Sequence, residues 1–176
     1  YSEELVSGLK KLSKKHQVTL FMTLMTGIKA LLSRYSNQDD ITIGTPIAGR
    51  SHPDLENQIG LYLNTLAIRT KLDVDESFVS LLQKEKQVLL DAYTHQIYPF
   101  DRLIEKLNLK RDTSRSPLFD IMVVLQNQQQ LTTIAADSSK LNAEIQSRTI
   151  ESNAAQFDIS FTFMESDGLC LEMQYN

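Results

Sequence analysis

Apolar residues recur along this chain in two rhythms. In "SEELVSGLKKLSKKHQ" (Ser2–Gln17), Leu5, Leu9 and Leu12 return every three to four residues. That spacing gathers them on one face of a helix, which Ser2 caps while Glu3 and Glu4 favour its first turn. The same rhythm continues through "LFMTLMTGIKALLSRY" (Leu20–Tyr35), with Thr19 as cap and Phe21, Leu24, Met25, Ile28, Leu31 and Leu32 on the apolar stripe. Gly27 lowers helix propensity there and is read as a close approach of helix to sheet. After the turn "SNQDD" the period drops to two: "ITIGTPIAGR" (Ile41–Arg50) alternates as a strand, with Pro46 placing its end near an edge or a loop.

The loop "SHPDLEN" leads into "IGLYLNTLAIRTKL" (Ile59–Leu72), which is apolar on both faces and predicts a central, doubly covered strand. "ESFVSLLQKEKQVLLDAYTHQ" (Glu76–Gln96) predicts a long helix capped by Asp75, with Phe78, Leu81, Leu82, Leu89 and Ala92 buried. Pro99 breaks the helix and "FDRLIEKL" (Phe100–Leu107) resumes it. "FDIMVVLQ" (Phe119–Gln126) is a strand, residues 127–142 a polar loop or crossover, and "AEIQSRTI" (Ala143–Ile150) another strand. "FDISFTFME" (Phe157–Glu165) alternates and returns through "SDG" as a hairpin ending near Tyr175. The order predicts an α/β (α+β) sandwich, a mixed β-sheet with packed helices.

Composition narrows the function classes. The 176 residues suit one domain or a large piece of one, and 41% hydrophobic content supplies a core. A net charge of −4 argues against a nucleic-acid partner. The one basic cluster, Lys10, Lys11, Lys14 and Lys15, complements the end of a helix. Cys170 is the single cysteine, so no intrachain disulfide forms, and in a short strand without a nearby histidine it is a structural thiol. No apolar run reaches the length of a membrane span and no signal peptide is visible; no membrane partner and a cytoplasmic location are expected. The chain starts at Tyr1 without methionine and its last apolar stretch stops at Asn176, so both ends read as cut from something longer.

Candidate chemistry is sparse. The chain has no G-x-G-x-x-G, no P-loop, no H-E-x-x-H and no G-x-S-x-G. His16, His52 and His95 lie far apart and lack metal-ligand spacing with Cys170, so no metal site is expected. Two places depart from simple core logic. Asn64 stands inside an apolar strand, where its carboxamide must either bond a neighbouring loop or line a substrate channel. "RDTSRSPLFD" (Arg111–Asp120) crowds arginines, aspartates and hydroxyls ahead of a strand. Either Asp112 and Arg115 pair within a knit loop, or the segment is an anion site for a phosphate group. His95, ahead of Pro99-Phe100 in "HQIYPFDRL", suits either catalysis or the scaffold.

Three stretches, in order, carry a resemblance: "IGLYLNTLAIR", "HQIYPFDRLIEKL" and "RDTSRSPLFDIMVVLQN". They resemble the three C-terminal signature motifs of condensation domains from nonribosomal peptide synthetases. "LLSRYSNQDDITIGTPIAGR" is similar to the stretch that precedes them, and "FDISFTFMES" to one near the domain's end, so the resemblance covers nearly the whole chain. Departures are mild: Tyr62-Leu63 stands where the family has Phe-Val, and Ser114-Arg115-Ser116-Pro117 where it has S-R-N-P.

The resemblance implies a lobe with a chloramphenicol-acetyltransferase-like fold, one of two in a V-shaped domain. The whole domain joins a donor aminoacyl or peptidyl thioester to an acceptor amine, both carried on phosphopantetheine arms of carrier domains. The family's catalytic H-H-x-x-x-D-G lies in the N-terminal lobe. This sequence has no His-His pair, so residues 1–176 correspond to the C-terminal lobe, with no catalytic residue and no directly bound cofactor. Implied partners are the N-terminal lobe, upstream and downstream carrier domains, and an adjacent adenylation domain. The resemblance makes Asn64, Tyr62, Thr45 and Pro46 candidates for the channel wall, with the loop after Pro46 at its floor. It makes His95, Pro99, Phe100, Arg111, Asp112, Arg115 and Pro117 structural motif residues. A peptide-bond-forming type is expected. The alternatives are a non-catalytic module that binds a carrier or neighbouring synthetase domain, and a small complete enzyme using the charges of Arg111–Asp120.

Overall fold

The computed structural model describes residues 1–50, 52–55, 57–109, 115–127, 155–165 and 168–176. In chain order the elements are α1 (Glu3–Lys15), α2 (Leu20–Ser36), β1 (Asp40–Ile47), a 3₁₀ turn (Pro53–Leu55), β2 (Asn64–Lys71), α3 (Phe78–Thr94), α4 (Phe100–Leu107), β3 (Ile121–Asn127), β4 (Ile159–Glu165) and β5 (Leu169–Tyr175). The strands form one mixed sheet in the order β2-β1-β3-β4-β5. β2 and β1 pair antiparallel over eight residues, β3 and β4 parallel, and β4 and β5 antiparallel as a hairpin. β1 meets β3 in parallel at a single register pair, Gly44 with Met122. The mixed sheet with packed helices is the architecture expected from the sequence.

Alternation decides which side of the sheet is covered. Ile41 and Ile43 of β1, Val123 of β3, Phe161 and Phe163 of β4 and Leu169 of β5 all lie in one core. Against them pack Val6 of α1, Leu24, Met25 and Ile28 of α2 and Leu81 of α3. Removing each large side chain from water contributes about 1.5–3 kcal/mol. A second, smaller cluster joins Met22, Leu66, Ile68 and Leu89 where α2 and α3 cover β2.

Several expectations need correction. On α1 the covered stripe is Val6, Leu9 and Ser13, while Leu5 is exposed. Ser13 can be buried because its hydroxyl bonds the Leu9 carbonyl (2.8 Å) and the Thr23 hydroxyl (2.7 Å). Leu31 of α2 is also exposed. A methyl group at Gly27 would meet nothing within 4 Å, so no close contact explains that glycine. Among the described residues β2 is an edge strand, not a central one, and it begins only at Asn64. Its odd positions Arg69 and Lys71 face solvent, and Ile59, Leu61 and Leu63 ahead of it are exposed. The cap of α3 is Ser77, whose hydroxyl accepts the Ser80 N–H (3.2 Å), not Asp75. Phe78 is exposed, and the buried stripe of α3 carries Glu85 between Leu82 and Leu89. The loop expected after Asn127 and the strand expected at Ala143–Ile150 lie outside the described residues. Cys170 occupies an exposed position on β5.

Glu85 is tolerated because Lys29 of α2 and Thr70 of β2 meet it. The Lys29 ammonium donates to Thr70 Oγ1 (2.7 Å) and to both Glu85 oxygens (2.8 and 3.0 Å). The Thr70 hydroxyl donates to Glu85 Oε2 (2.6 Å). Lys29 and Glu85 are 0% exposed. Burial pushes the Lys29 pKa below its ordinary value, against the opposing charge and hydrogen bonds of Glu85.

Candidate functional site

The motif residues converge where α3 gives way to α4. Pro99 supplies the break: with φ −64° and ψ 136° it sits outside the helix and starts the next one. A helix end leaves backbone groups without partners. His95 ends α3 by donating its N–H to the Ala92 carbonyl (3.1 Å), and its own carbonyl accepts from Tyr98 (3.0 Å). Asn64 takes up the remaining groups. Its amide nitrogen donates to the carbonyls of Gln96 (2.8 Å) and Tyr98 (2.9 Å). Its amide oxygen accepts the N–H of Phe100 (3.1 Å). One half-buried carboxamide thus fixes the whole elbow from Gln96 to Phe100 by three bonds.

Asn64 can do this because of register. It pairs with Ile47, and its side chain shares the helix-covered side of β2 with Leu66 and Ile68. The channel-or-loop alternative read from the sequence therefore has a geometric content: its hydrogen-bonding atoms are engaged by the elbow, and the elbow forms a surface. Gly49, Tyr62, Leu63, Asn64, Gln96, Ile97 and Pro99 line a pocket of about 280 Å³. Ile97, Leu63, Leu61 and Ile59 are exposed apolar side chains on the pocket or the strand lead-in.

The lead-in is shaped by Arg50 and Gly49, neither of which stood out in the sequence. Gly49 has φ +62°, and a side chain there would collide with the Tyr62 carbonyl. The Arg50 guanidinium donates to the carbonyls of Leu55, Gln58 (2.9 Å) and Gly60 (3.2 Å), and its carbon lies 4.5 Å from the centre of the Tyr62 ring. The Tyr62 hydroxyl completes the set by donating to Gln58 Oε1 (2.8 Å). One cation thus bonds three carbonyls of this loop.

A second cavity, about 450 Å³, has Thr65, Phe100, Arg115, Ser116, Pro117, Phe119, Asp120, Phe157 and Asp158 among its walls. The Phe119 ring stands 5.7 Å from that of Phe100 and 5.5 Å from that of Phe157. It lies over Gly44, where a methyl group would collide with its edge. Arg115 lies 3.4 Å from Asp120 and 3.7 Å from Asp158, all three substantially exposed. Arg111 and Asp112, and with them the expected Asp112–Arg115 pair, fall outside the described residues.

Asn64, Tyr62, Pro99 and Phe100 are thus gathered by the elbow, with Arg115 and Pro117 on the neighbouring cavity. Thr45 is not: at 3% exposure it lies beneath the helices, opposite Leu66. Pro46 is half-buried beside Thr65. His95 has an exposed ring. Among the described residues no group of three or more histidine, cysteine, aspartate or glutamate side chains could hold a metal ion, and no helix is long and apolar enough to cross a membrane.

The model of the family described as "Condensation domain" matches residues 1–176. Gramicidin S synthase 2 of Brevibacillus brevis is 42% identical over 178 residues, which are 97% of this chain and 4% of that protein. Bacitracin synthase 1 of Bacillus licheniformis is 43% identical over 172 residues, 96% of this chain and 3% of that protein. The chain therefore spans only a small part of the curated relatives that it matches. Among solved structures, a four-domain nonribosomal peptide synthetase bound to AMP and glycine superposes with a TM-score of 0.86 at 28% identity, over 99% of this chain and 14% of that one. The condensation domain of monacolin K polyketide synthase gives a TM-score of 0.78 at 19% identity, over 98% of this chain and 39% of that one.

Proposed function

Because the chain belongs to the condensation-domain family, we propose that it is the C-terminal lobe of such a domain and supplies one wall of its substrate channel. In the whole domain an acceptor amine attacks the donor thioester carbonyl, an amide bond forms and the donor carrier's thiol leaves. Both substrates arrive on phosphopantetheine arms, so the partners are the N-terminal lobe, two carrier domains and a neighbouring adenylation domain, working in the cytoplasm. The length supports the lobe reading: the chain covers 39% of one condensation-domain structure. So does the missing His-His pair, since the family places its catalytic histidine motif on the other lobe.

The observation that carries the channel reading is the elbow. Three hydrogen bonds from Asn64 hold Gln96–Phe100 beside a pocket with Tyr62, Leu63 and Ile97 in its wall. Catalysis of this kind depends on holding amine and thioester in register. A rigid elbow and an apolar pocket contribute positioning; no side chain of this surface is required as an acid or base. By the same reasoning the isolated chain forms no peptide bond, because one wall cannot hold either arm. The test is Asn64→Ala in the whole domain. Condensation should fall by about tenfold or more, in line with the sensitivity of such reactions to misplacement of about 1 Å, while the variant stays folded. A variant that unfolds more easily yet turns over normally when folded makes Asn64 a scaffold residue only.

A further inference from the structure

We propose that the buried Lys29–Thr70–Glu85 cluster is a positioning element for the elbow, the second of two anchors that fix α3 along β2. The kinetic part of this inference rests on the channel reading above; the structural part does not. The three residues come from α2, β2 and α3, and none of them touches the elbow pocket. Their four hydrogen bonds, 2.6 to 3.0 Å, use the lysine's donors and both carboxylate oxygens. Stability alone does not account for such a cluster. Replacing a buried ion pair with apolar side chains of similar volume is often neutral or stabilising. What apolar packing lacks is direction: leucine and valine surfaces slide over one another, whereas an ammonium between a hydroxyl and a carboxylate has one arrangement.

The geometry shows what is being fixed. Asn64 and Thr70 lie on the same side of β2, six residues apart, which is about 20 Å at ~3.3 Å per residue. Glu85 and Gln96 lie eleven residues apart along α3 and its end, about 16 Å at ~1.5 Å per residue. β2 and α3 run in opposite directions, so Thr70 meets Glu85 at one end (2.6 Å) and Asn64 meets Gln96 at the other (2.8 Å). Between them lie the apolar contacts of Leu66, Ile68, Val88, Leu89 and Ala92, and at the Thr70 end the exposed Lys84 ammonium also donates to the Lys71 carbonyl (3.1 Å). With the elbow end alone held, the far end of α3 would rest on apolar packing and the exposed bonds of Gln83 and Lys84, which position it less strictly than a buried, directional cluster. Two anchors of nearly matched span remove the remaining freedom and carry the position of the cluster to Gln96–Phe100.

The experiment uses the whole condensation domain that contains this chain. Lys29→Met, Thr70→Val and Glu85→Leu are combined, so that no charge is left buried alone. The triple variant should fold with a thermal midpoint at or above the parent's. Hydrogen exchange at the Phe100 amide, which Asn64 holds, should nevertheless quicken by about tenfold as the elbow loosens. kcat should fall roughly threefold or more with KM for the acceptor carrier nearly unchanged, the signature of lost positioning. If the triple variant does not fold, Thr70→Val alone carries the test, with faster Phe100 exchange again expected. Parent-like exchange at Phe100 in the folded variant overturns the inference. A parent domain that makes no amide bond overturns the channel reading instead, and leaves exchange at Phe100 to judge the anchor.

Discussion

The two halves of the sheet are held by different physics. In the β3–β4–β5 half, two unbroken seven-residue registers carry Val123, Phe161, Phe163 and Leu169 into one apolar core. In the β2–β1 half the registers are as regular, but the surroundings are directional. Lys29 and Glu85 clasp Thr70, Asn64 holds the elbow, Arg50 ties the loop, and glycines stand at positions 44 and 49 where no side chain fits. The ladders of the two halves meet at the single register pair Gly44–Met122, although Ile41 and Ile43 reach into the shared apolar core. Apolar burial sets the register by alternation but is less directional than hydrogen bonding, so the first half tolerates volume-conserving swaps. Directional bonds specify position, and they surround the elbow surface that we propose lines the channel.

The sharpest way to break this contrast is to remove one partner of the buried ion pair. Lys29→Ala leaves the Glu85 carboxylate buried with Thr70 alone, and the whole domain should lose about 3–5 kcal/mol in urea denaturation. A volume-conserving change in the other half, Leu169→Met, should cost less than about 1.5 kcal/mol. Equal losses would erase the distinction. Next in size is the junction. Gly44→Ala drives a methyl group into the Phe119 ring and should cost about 1–3 kcal/mol through overpacking. Its signature is a shifted Phe119 ring resonance in NMR spectra, and an unperturbed ring would show that the two halves are not fitted together there.

Smaller again is Asn64→Ala, which strips three backbone groups of their partner. Because the site is half-buried and water can replace some bonds, about 1–2 kcal/mol is expected, measured by the same denaturation. A loss as large as that of Lys29→Ala would make the elbow a stability element rather than a positioning one. The smallest effect belongs to an exposed pair on the same strands. Arg69 Nε and Nη2 donate to the Asp40 oxygens at 2.9 and 2.6 Å, and the hydrogen bond from Arg69, more than its charge, holds the Asp40 pKa below its ordinary value. A depressed carboxylate contributes stability above its unfolded pKa and loses it as pH falls through the lower folded value. Arg69→Gln should therefore raise the Asp40 titration midpoint seen by NMR and lower the neutral-pH denaturation midpoint only slightly, because an exposed pair is worth little.

The same division explains what could be read in the sequence. The β4–β5 hairpin follows from the alternation of Ile159, Phe161 and Phe163, and Pro99 marks the break between α3 and α4 in advance. The edge position of β2 was not legible, because an apolar lead-in such as Ile59–Leu63 has the same composition whether it is covered or exposed. Lys29 and Glu85 left a trace: each is a charge within an apolar helical stripe. Their partnership spans 56 residues, and no local rule pairs them. The sequence marked Asn64 as a carboxamide in need of partners but not which ones, since its bonds with Gln96, Tyr98 and Phe100 cross 32 to 36 residues. Arg50 gave no signal, because its hydrogen-bond partners are backbone carbonyls and its contact with the Tyr62 ring spans 12 residues with no local rule to mark it.

The central claim is that this chain is one wall of a channel completed by another lobe. Mass spectrometry of carrier domains tests it most directly. Donor and acceptor carriers loaded with aminoacyl groups are incubated with the chain alone and, in parallel, with the whole domain. Dipeptidyl acceptor carrier is expected from the whole domain, and none above the carrier-only background from the chain alone. Turnover by the chain alone would contradict the claim, and would return the exposed imidazole of His95 to consideration as a catalyst.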